Sequence, residues 1–585
     1  MISVVILTFN EERNIERCLK SVRWSDDVLV VDSFSTDNTV AIAQQLGARV
    51  IQRKFDNFAA QRNFALDHGE LKHQWVLHLD ADEEVTSELA EELGAVTSNP
   101  ACDAYRVAAK LIWQGRWLRH AGLFPWYQVR FGRKDALRFY QAGHGQREVV
   151  APERIGTLRA GLPHYPFSKG LHDWIEKHNR YSSAEAKRNV AGGSKSSLTF
   201  DRRLLTNQDV RRRTLKSIFA RLPFRPTLRF TYMAVVRRGL LDGMPGLTYC
   251  RLLTWYERMI VLKEREERTP GTAAPSRETS VGETAAHSRA TQPGRSVAGK
   301  AALSVLIPVK NEAANLRACM ESVQFADEIV VVDSGSTDGT REIASERGAS
   351  IVDFEWNGAF PRKKNWALEN VPWRHEWVLI IDADERITPA LEQQIQDAIK
   401  RSDVDGFYLN RRYWFLDGWI NHSARFPNWN LRLFRHRHGR YERFDIVSPS
   451  ESGDNEVHEH VLLKGRAEYL SEPMEHYAFP DLATFIEKHN RYSTWEAQVA
   501  QQMTQGGGGK LQASLFGSPM ERRRSLKRAS ALMPFRPTLR FIYHYVIGQG
   551  FRDGYRGFVL SRLMAWYEWL ITLKLRELRR ESARR

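Results

Sequence analysis

Cysteine is scarce in this chain. Its four cysteines, Cys18, Cys102, Cys250 and Cys319, are scattered over 585 residues. They form neither a Cys-x-x-Cys nor a Cys/His cluster, which argues against a disulfide framework or a thiolate zinc site and fits a reducing compartment. Cys18 and Cys319 read as small buried hydrophobes on helices. No run of about 18 or more apolar residues occurs, so no spanning helix is expected. The opening stretch, MISVVILTFNEER, lacks a basic leader and a small-residue cleavage site, and reads as a strand instead of a signal peptide. No glycine-rich, basic triphosphate loop follows that strand, which disfavours a nucleotidyltransferase making nucleotide-sugars.

What is present is globular: 42% hydrophobic and 27% charged residues. The length exceeds what one core supports, so at least two domains are expected. The net charge is +16, but two segments hold it: Asp201–Glu264 carries +9 and Glu521–Arg580 carries +10, leaving −3 for the rest. Basicity confined to two segments points to local contact with an anionic surface.

The chain is an internal duplication. SVVILTFNEERNIERCLKSV (Ser3–Val22) returns as SVLIPVKNEAANLRACMESV (Ser304–Val323), and VVDSFSTDNT (Val30–Thr39) as VVDSGSTDGT (Val331–Thr340). LDADEEV (Leu79–Val85) returns as IDADERI (Ile381–Ile387). IEKHNRYS and PFRPTLRF each occur twice without change, at Ile175 and Ile486 and at Pro223 and Pro534. The offset grows from 301 to about 312, so copy two carries a net insertion of about ten residues, placed around His436–Asn455. The intervening 266–300, rich in Pro, Gly, Ser, Thr and Ala, reads as a flexible linker. The expected organisation is therefore 1–200 and 301–510 as two domains, each followed by a basic helical extension, 201–265 and 511–585.

Within one copy, SVVILTF, DVLVVDS, ARVIQRKF and QWVLHLDAD read as buried strands. Helices are expected from Asn10, from Thr36 to Leu46 and from Ala59 to His68. This alternation means an α/β domain with a mostly parallel sheet, whose ligands bind beyond the carboxyl ends of its strands. The motifs fall at those ends. Asp80-Ala81-Asp82 and Asp382-Ala383-Asp384 place two like charges close together. That calls for a cation between them or a raised pKa, and Mg²⁺ or Mn²⁺ shared with substrate phosphates would suit. The alternative is an acidic turn that caps the next helix. Asp32 and Asp333 could accept hydrogen bonds from a base or ribose, or simply form a turn. Arg62/Lys364 and Asn63/Asn365, in QRNFAL and KKNWAL, could meet a diphosphate or belong to a solvated helix face.

Together, Asn-Glu after the first strand, VVDSxSTDxT, a helix with RN or KN, and hDADE resemble family 2 glycosyltransferases of the GT-A fold. The downstream part is similar to the branch that includes bacterial lipopolysaccharide-core glucosyltransferases. The resemblance implies an α/β protein of two tandem GT-A (nucleotide-diphospho-sugar transferase, Rossmann-like) domains, each with a C-terminal basic amphipathic helical extension. It implies an inverting transfer from a nucleotide-sugar, UDP-sugar foremost. Donor contacts would come from Thr8, Asn10, Glu11 and Asp32, matched by Asn311, Glu312 and Asp333. Asp82 and Asp384 would bind the metal, with Asp80 and Asp382 beside them, and a carboxylate would deprotonate the acceptor.

For that base, Glu459 in EVHEHVLL matches the family's His-Glu motif. Copy one reads GHGQREVV instead. Counting back from His164 and His476 sets Glu148 opposite His460. Three options follow for copy one: Glu148 or His144 as base, a different specificity, or no activity. His164 and His476 read as packed histidines or further metal ligands. Trp113–Arg133 and Phe415–Arg435 are candidate acceptor regions, aromatic and more divergent than the donor motifs, or else aromatic core. Each basic extension interleaves Arg, Trp and Tyr with apolar residues, which suits a helix in a membrane interface or a basic pair packed on the domain. These features imply a saccharide or lipid-linked acceptor at the inner face of the cytoplasmic membrane, and no nucleic-acid partner.

Overall fold

A computed structural model of the chain describes residues 1–142, 145–192, 222, 224–269, 299–357, 361–442, 460–504 and 535–584. Two compact units divide it, Met1–Arg268 and Thr269–Arg585.

The first unit runs β1 (Ile2–Thr8), α1 (Ile15–Ser21), β2 (Val28–Asp32), α2 (Thr39–Gln45), β3 (Arg49–Gln52), α3 (Phe58–His68), β4 (Trp75–Asp80) and α4 (Ser87–Ser98). It continues with β5 (Ala104–Trp113), β6 (Arg116–Trp117), β7 (Tyr127–Arg133), β8 (Phe139–Ala142), β9 (Gly145–Glu148) and β10 (Ile155–His164). The helices α5 (Leu171–Gly192), α6 (Arg225–Thr231) and α7 (Gly243–Arg268) complete it. The sheet order is β10-β5-β7-β4-β1-β2-β3, with β6 beside β5. β4, β1, β2 and β3 are parallel, while β7 runs antiparallel between β4 and β5.

The apolar runs read as buried strands have a simple cause. Alternate residues of β1 face opposite layers: Val4 and Ile6 pack with Ile15, Cys18 and Leu89, and Val5 packs with Ala65 and Leu66. Both faces are covered, so no polar alternation is needed. The helix expected from Asn10 begins instead at Ile15. Asn10 sits at φ 51°, and the N–H groups of Asn10 and Glu11 donate to Ser35 Oγ and Thr39 Oγ1. Residues 10–14 and 33–38 are thus two loops stitched together at the strand ends. Asp37 accepts the Thr39 N–H and starts α2, as its position suggested.

The second unit repeats this plan. Its sheet runs Ser350–Asp353, Ala326–Asp333, Ala301–Val309, Trp377–Ile380, Trp429–Arg435, Gly406–Phe415, Ala467–His476 and Glu385–Arg386. The insertion lies in one hairpin. Phe139 pairs with Glu148 nine residues on, whereas its counterpart Tyr441 pairs with Val461 twenty residues on. Most of that loop, 443–459, falls outside the described residues, as does most of the linker expected at 266–300.

The repeated octamer IEKHNRYS lies in α5 and has work for nearly every residue. The His178 ring stacks on Trp174 at 3.6 Å, and its Nδ1 lies 2.7 Å from the Trp174 carbonyl oxygen. Lys263 Nζ, from α7, donates to Asn179 O, Asn179 Oδ1 and Ser182 Oγ at 2.6–2.8 Å. Lys574 makes the same contacts with Asn490 and Ser493. The long helix of the extension is therefore pinned to α5 by a buried lysine.

Candidate active site

The strand register gathers the motif residues at one edge: Thr8 lies beside Asp32, and Leu7 beside Asp80. Asp32 is fully buried. It accepts from Thr8 Oγ1 (3.0 Å), Ser35 N (2.9 Å), Ser35 Oγ (2.5 Å) and Gln52 Nε2 (3.1 Å). Asp333 does the same with Ser336 and with Arg341 Nη1 at 2.9 Å. In both units this aspartate shapes the loop that faces the first strand. Asn10 Oδ1 accepts the Thr36 N–H, and Asn311 Oδ1 that of Thr337, both at 2.8 Å. Glu11 is held by Lys169 at 2.6 Å, yet burial still pushes its carboxyl up. Glu312 accepts from Asn315 Nδ2 at 2.8 Å.

The two aspartates of each Asp-Ala-Asp part company. Asp80 is gripped by Arg62 (2.6 Å) and Arg130 (2.5 Å), and Arg130 also holds Glu83 at 2.6 Å. Asp382 is gripped by Lys364 (2.9 Å) and Arg432 (2.5 Å), with Glu385 at 3.0 Å. Burial alone would raise the Asp80 carboxyl; Arg130 and Arg62 hold it below its ordinary value. Two buried arginines pair with the buried Glu83 and with Asp80, whose side chain is 34% exposed, so the protein supplies a cation of its own beside the motif. This corrects the expectation that Arg62 and Lys364 face a diphosphate. Arg62 is 1% exposed and committed to Asp80, and Lys364 is likewise engaged by Asp382.

Asp82 instead faces His164, with Oδ2 3.2 Å from Nε2; Asp384 faces His476 at 3.3 Å. The backbone brings them together, because the Tyr165 N–H donates to the Asp82 carbonyl and the Tyr477 N–H to that of Asp384. Burial would raise the Asp82 carboxyl, but His164 leaves it lowered; the same balance takes Asp384 to about 2. A carboxylate and an imidazole converging at a strand end suit Mg²⁺ or Mn²⁺ that takes its other ligands from a diphosphate and water. Among the described residues no third His, Cys, Asp or Glu joins them. A second cation looks into the same place. Burial pulls the Lys177 ammonium down, but Tyr181, Asp82, Asp80 and Glu11 keep it above its ordinary value.

Asn63 is also engaged elsewhere than expected. Its Nδ2 donates to the Phe139 carbonyl and its Oδ1 accepts the Phe139 N–H, at 2.9 and 3.0 Å. Asn365 clamps Tyr441 in the same way. Each side chain acts as a short strand that fixes the hairpin rather than as a diphosphate contact.

That hairpin also corrects the matching of Glu148. Glu148 pairs with Phe139, and Val461 with Tyr441, so Glu148 corresponds to Val461 and not to His460. Ile155 lies seven residues beyond Glu148, whereas its counterpart Ala467 lies six beyond Val461, and counting back from the histidines missed this extra residue. Arg147 corresponds to His460, whose carbonyl accepts the Glu442 N–H at 2.9 Å. The residue before Arg147 is Gln146; the one before His460 is Glu459, which lies outside the described residues, as does His144.

Three groups escaped the sequence reading: the buried Glu83/Glu385 and Arg130/Arg432, and the more exposed Lys177/Lys488. A signal existed for each. An arginine persists inside an apolar strand in both VRFGR and LRLFR, and Lys177 and Lys488 belong to the unchanged octamer. Along β5 and the loop before β7 the units differ. Ala108, Ala109 and Trp126 of unit one are Asn410, Arg411 and Asn428 in unit two, where Arg411 reaches Glu385 at 3.2 Å.

Comparison with known proteins accords with this geometry. The profile of "Glycosyl transferase family 2" matches residues 3–146 and 304–453. An uncharacterized glycosyltransferase of Rickettsia typhi is 39% identical over 210 residues, covering 34% of this chain and 70% of that protein. The lipopolysaccharide core biosynthesis glycosyltransferase LpsC of Rhizobium meliloti is 30% identical over 287 residues, covering 47% of this chain and 92% of that protein. Among solved structures, S. aureus TarS 1–349 in complex with UDP-GlcNAc is 17% identical and covers 46% of this chain and 91% of that one, with a TM-score of 0.22. With matched regions spanning half its length and two sheets of the same design, the chain belongs to glycosyl transferase family 2 and is a glycosyltransferase of two GT-A-type domains in tandem.

Proposed function

We propose that the two units add sugars in succession from nucleotide-sugar donors, UDP-sugars foremost, to a saccharide held on a lipid at the inner face of the cytoplasmic membrane. The observation that carries this reading is the duplicated strand-end pair, Asp82 with His164 and Asp384 with His476. The named role of LpsC supports an envelope product of the lipopolysaccharide-core kind. The differing acceptor sides, Ala109 against Arg411, support two acceptors.

In each unit the stitched loops at Asn10/Ser35 and Asn311/Ser336 would hold the nucleotide. Asp82 with His164, and Asp384 with His476, would hold Mg²⁺ or Mn²⁺, which when bound offsets charge on the diphosphate. Lys177 adds a fixed cation beside them. In unit two Glu459 takes the proton of the acceptor hydroxyl as its oxygen bonds to the anomeric carbon. The bond from that carbon to the diphosphate breaks, and configuration inverts.

One observation favours a second reading, in which unit one binds and unit two transfers. Hairpin register aligns Arg147 with His460, so Gln146, an amide unable to take a proton, precedes it where Glu459 precedes His460. The two readings separate in one experiment: turnover of a panel of nucleotide-sugars by wild type, Asp82→Ala and Asp384→Ala, with Mn²⁺ and with EDTA. Loss of a different donor activity in each variant supports successive transfer. Unchanged turnover in Asp82→Ala with none in Asp384→Ala makes unit one a binding module. Turnover untouched in both variants overturns the site itself.

A further inference from the structure

Each extension carries an apolar face that its own unit leaves uncovered among the described residues. After α6 come a π-helical turn, Tyr232–Val236, and a 3₁₀ turn, Gly239–Asp242; the same three pieces recur at Arg536–Ile542, Tyr543–Ile547 and Gly550–Asp553. Their inner sides are closed. Met233 and Ala234 are buried, and the Asp242 carboxylate accepts the N–H groups of His120 and Ala121 at 2.9 and 2.7 Å. Asp553 holds Asn421 and His422 in the same way. Orientation is therefore fixed, and it turns Phe224, Val235, Val236, Leu240 and Met244 outward. Phe535, Val546, Ile547, Phe551 and Tyr555 are their counterparts, equally turned out. Phe224 and Phe535 are both 79% exposed, and both sit in left-handed backbone, at φ 57° and 60°. Among the described residues, this strained aromatic, present in both units, is held out in water instead of packing.

The border of this face is cationic. Asp242 is the sole acid from Phe224 to Gly246, and Asp553 the sole acid from Phe535 to Gly557; both are turned inward and buried. Beside Val236 lies a cavity of about 250 Å³ lined by Arg119, His120, Phe124, Val236, Arg237 and Arg238. In unit one, apolar tips and a guanidinium-lined hollow match an anionic phospholipid, acyl chains for the tips and phosphate for the arginines; in unit two Gly548 and Gln549 stand where Arg237 and Arg238 do, Arg552 is the outward cation, and the exposed Asp417 is paired with Arg556. A second copy fits less well, since pairing this face with itself would bring arginines together. No helix among the described residues is long and apolar enough to cross a membrane.

We propose that each unit docks through this face onto an anionic phospholipid bilayer, with Val235–Val236 and Val546–Ile547 entering the acyl boundary and Arg237 and Arg238 of unit one and Arg552 of unit two meeting lipid phosphates. Docking here deepens the membrane part of the reading above and is independent of its chemistry. Asp242 and Asp553 tie the face to the loop that follows β6 and to its counterpart, so a bilayer on this face lies next to the candidate acceptor side of the same unit.

The test is sedimentation of the full chain with vesicles of 30% phosphatidylglycerol in phosphatidylcholine at about 0.15 M salt, beside vesicles of phosphatidylcholine alone. Wild type binds the anionic vesicles and binds the neutral ones at least tenfold more weakly. Val235→Glu with Val236→Glu, and Val546→Glu with Ile547→Glu, each weaken binding, and all four together weaken it at least tenfold. Arg237→Glu with Arg238→Glu weakens binding to anionic vesicles only. Donor hydrolysis in solution is unchanged in every variant, which shows that they fold. Equal binding by wild type and the four-fold variant overturns the proposal, as does wild type that ignores anionic vesicles. Self-association abolished by the same glutamates, without vesicle binding, would assign the face to a second copy instead. If donor hydrolysis fails while vesicle binding holds, the transfer reading falls and the docking face stands.

Discussion

His164 Nε2 lies 3.2 Å from Asp82 Oδ2 although 82 residues separate them, and His476 repeats the pairing with Asp384 at 3.3 Å. Asp80, two residues before Asp82, is held by two arginines instead. One carboxylate of each motif is thus paired with fixed cations, and the other with a histidine.

Asp384→Asn keeps the shape of the site and removes its charge. Sugar transfer by unit two should fall about 100-fold or more, roughly 2.7 kcal/mol of barrier. His476→Ala should raise the Mn²⁺ concentration needed for half-maximal turnover by about 10–100-fold. A metal titration reads both effects. An unchanged Mn²⁺ requirement in His476→Ala would reduce the histidine to packing.

Arg432→Met leaves Asp382 and Glu385 buried beside a single remaining cation, Lys364, and Arg411 at the edge. Removal of one partner from a buried charge cluster costs about 3–5 kcal/mol. The urea midpoint of unit two should drop accordingly. Adding Glu385→Gln should restore part of the loss, because one uncompensated charge disappears with it.

Asn365→Ala removes both bonds that clamp Tyr441 and strands its N–H and carbonyl. The expected cost is about 1–3 kcal/mol, with faster hydrogen exchange at the Tyr441 amide. The KM for donor should stay within about twofold, since the hairpin and not the diphosphate holds this side chain. A tenfold rise in KM with normal exchange would return Asn365 to the donor site.

Burial pulls the Lys574 ammonium down to about 7. A free lysine in the unfolded chain titrates near 10.4, so between about pH 7 and 10 the unfolded state binds more protons. Stability of unit two should therefore rise with pH through that window, and the penalty for burying the charge is fully present below it. Lys574→Met should flatten the rise. It should also destabilise unit two at pH 9, where the neutral amine still serves Asn490 and Ser493. Thermal unfolding at pH 6, 7.5 and 9 checks both signs.

Much was legible because period and repetition report burial. Val4, Ile6, Val30 and Leu79 fill one core layer simply as β-branched and aliphatic residues in parallel strands covered on both faces. The same alternation set Thr8, Asp32 and Asp80 at adjacent strand ends. The start of α1 falls later than the local pattern suggests because Ser35 and Thr39, 25 and 28 residues away, hold the N–H groups of Asn10 and Glu11 in a loop. Glu148 was matched one residue out because a length difference within β9–β10 is silent in a count.

The sequence by itself determined two α/β units, their strand-end motifs and the basicity of their extensions, since each depends on residues close in the chain or on the duplication. Only the tertiary structure decided which partner each carboxylate meets. Arg62 and Arg130 arrive at Asp80 from a helix and an antiparallel strand, 18 and 50 residues away, and His164 arrives at Asp82 from the sheet's far strand. Charge neutralisation acts through space, and a carboxylate's role is fixed by whichever cation the fold delivers to it.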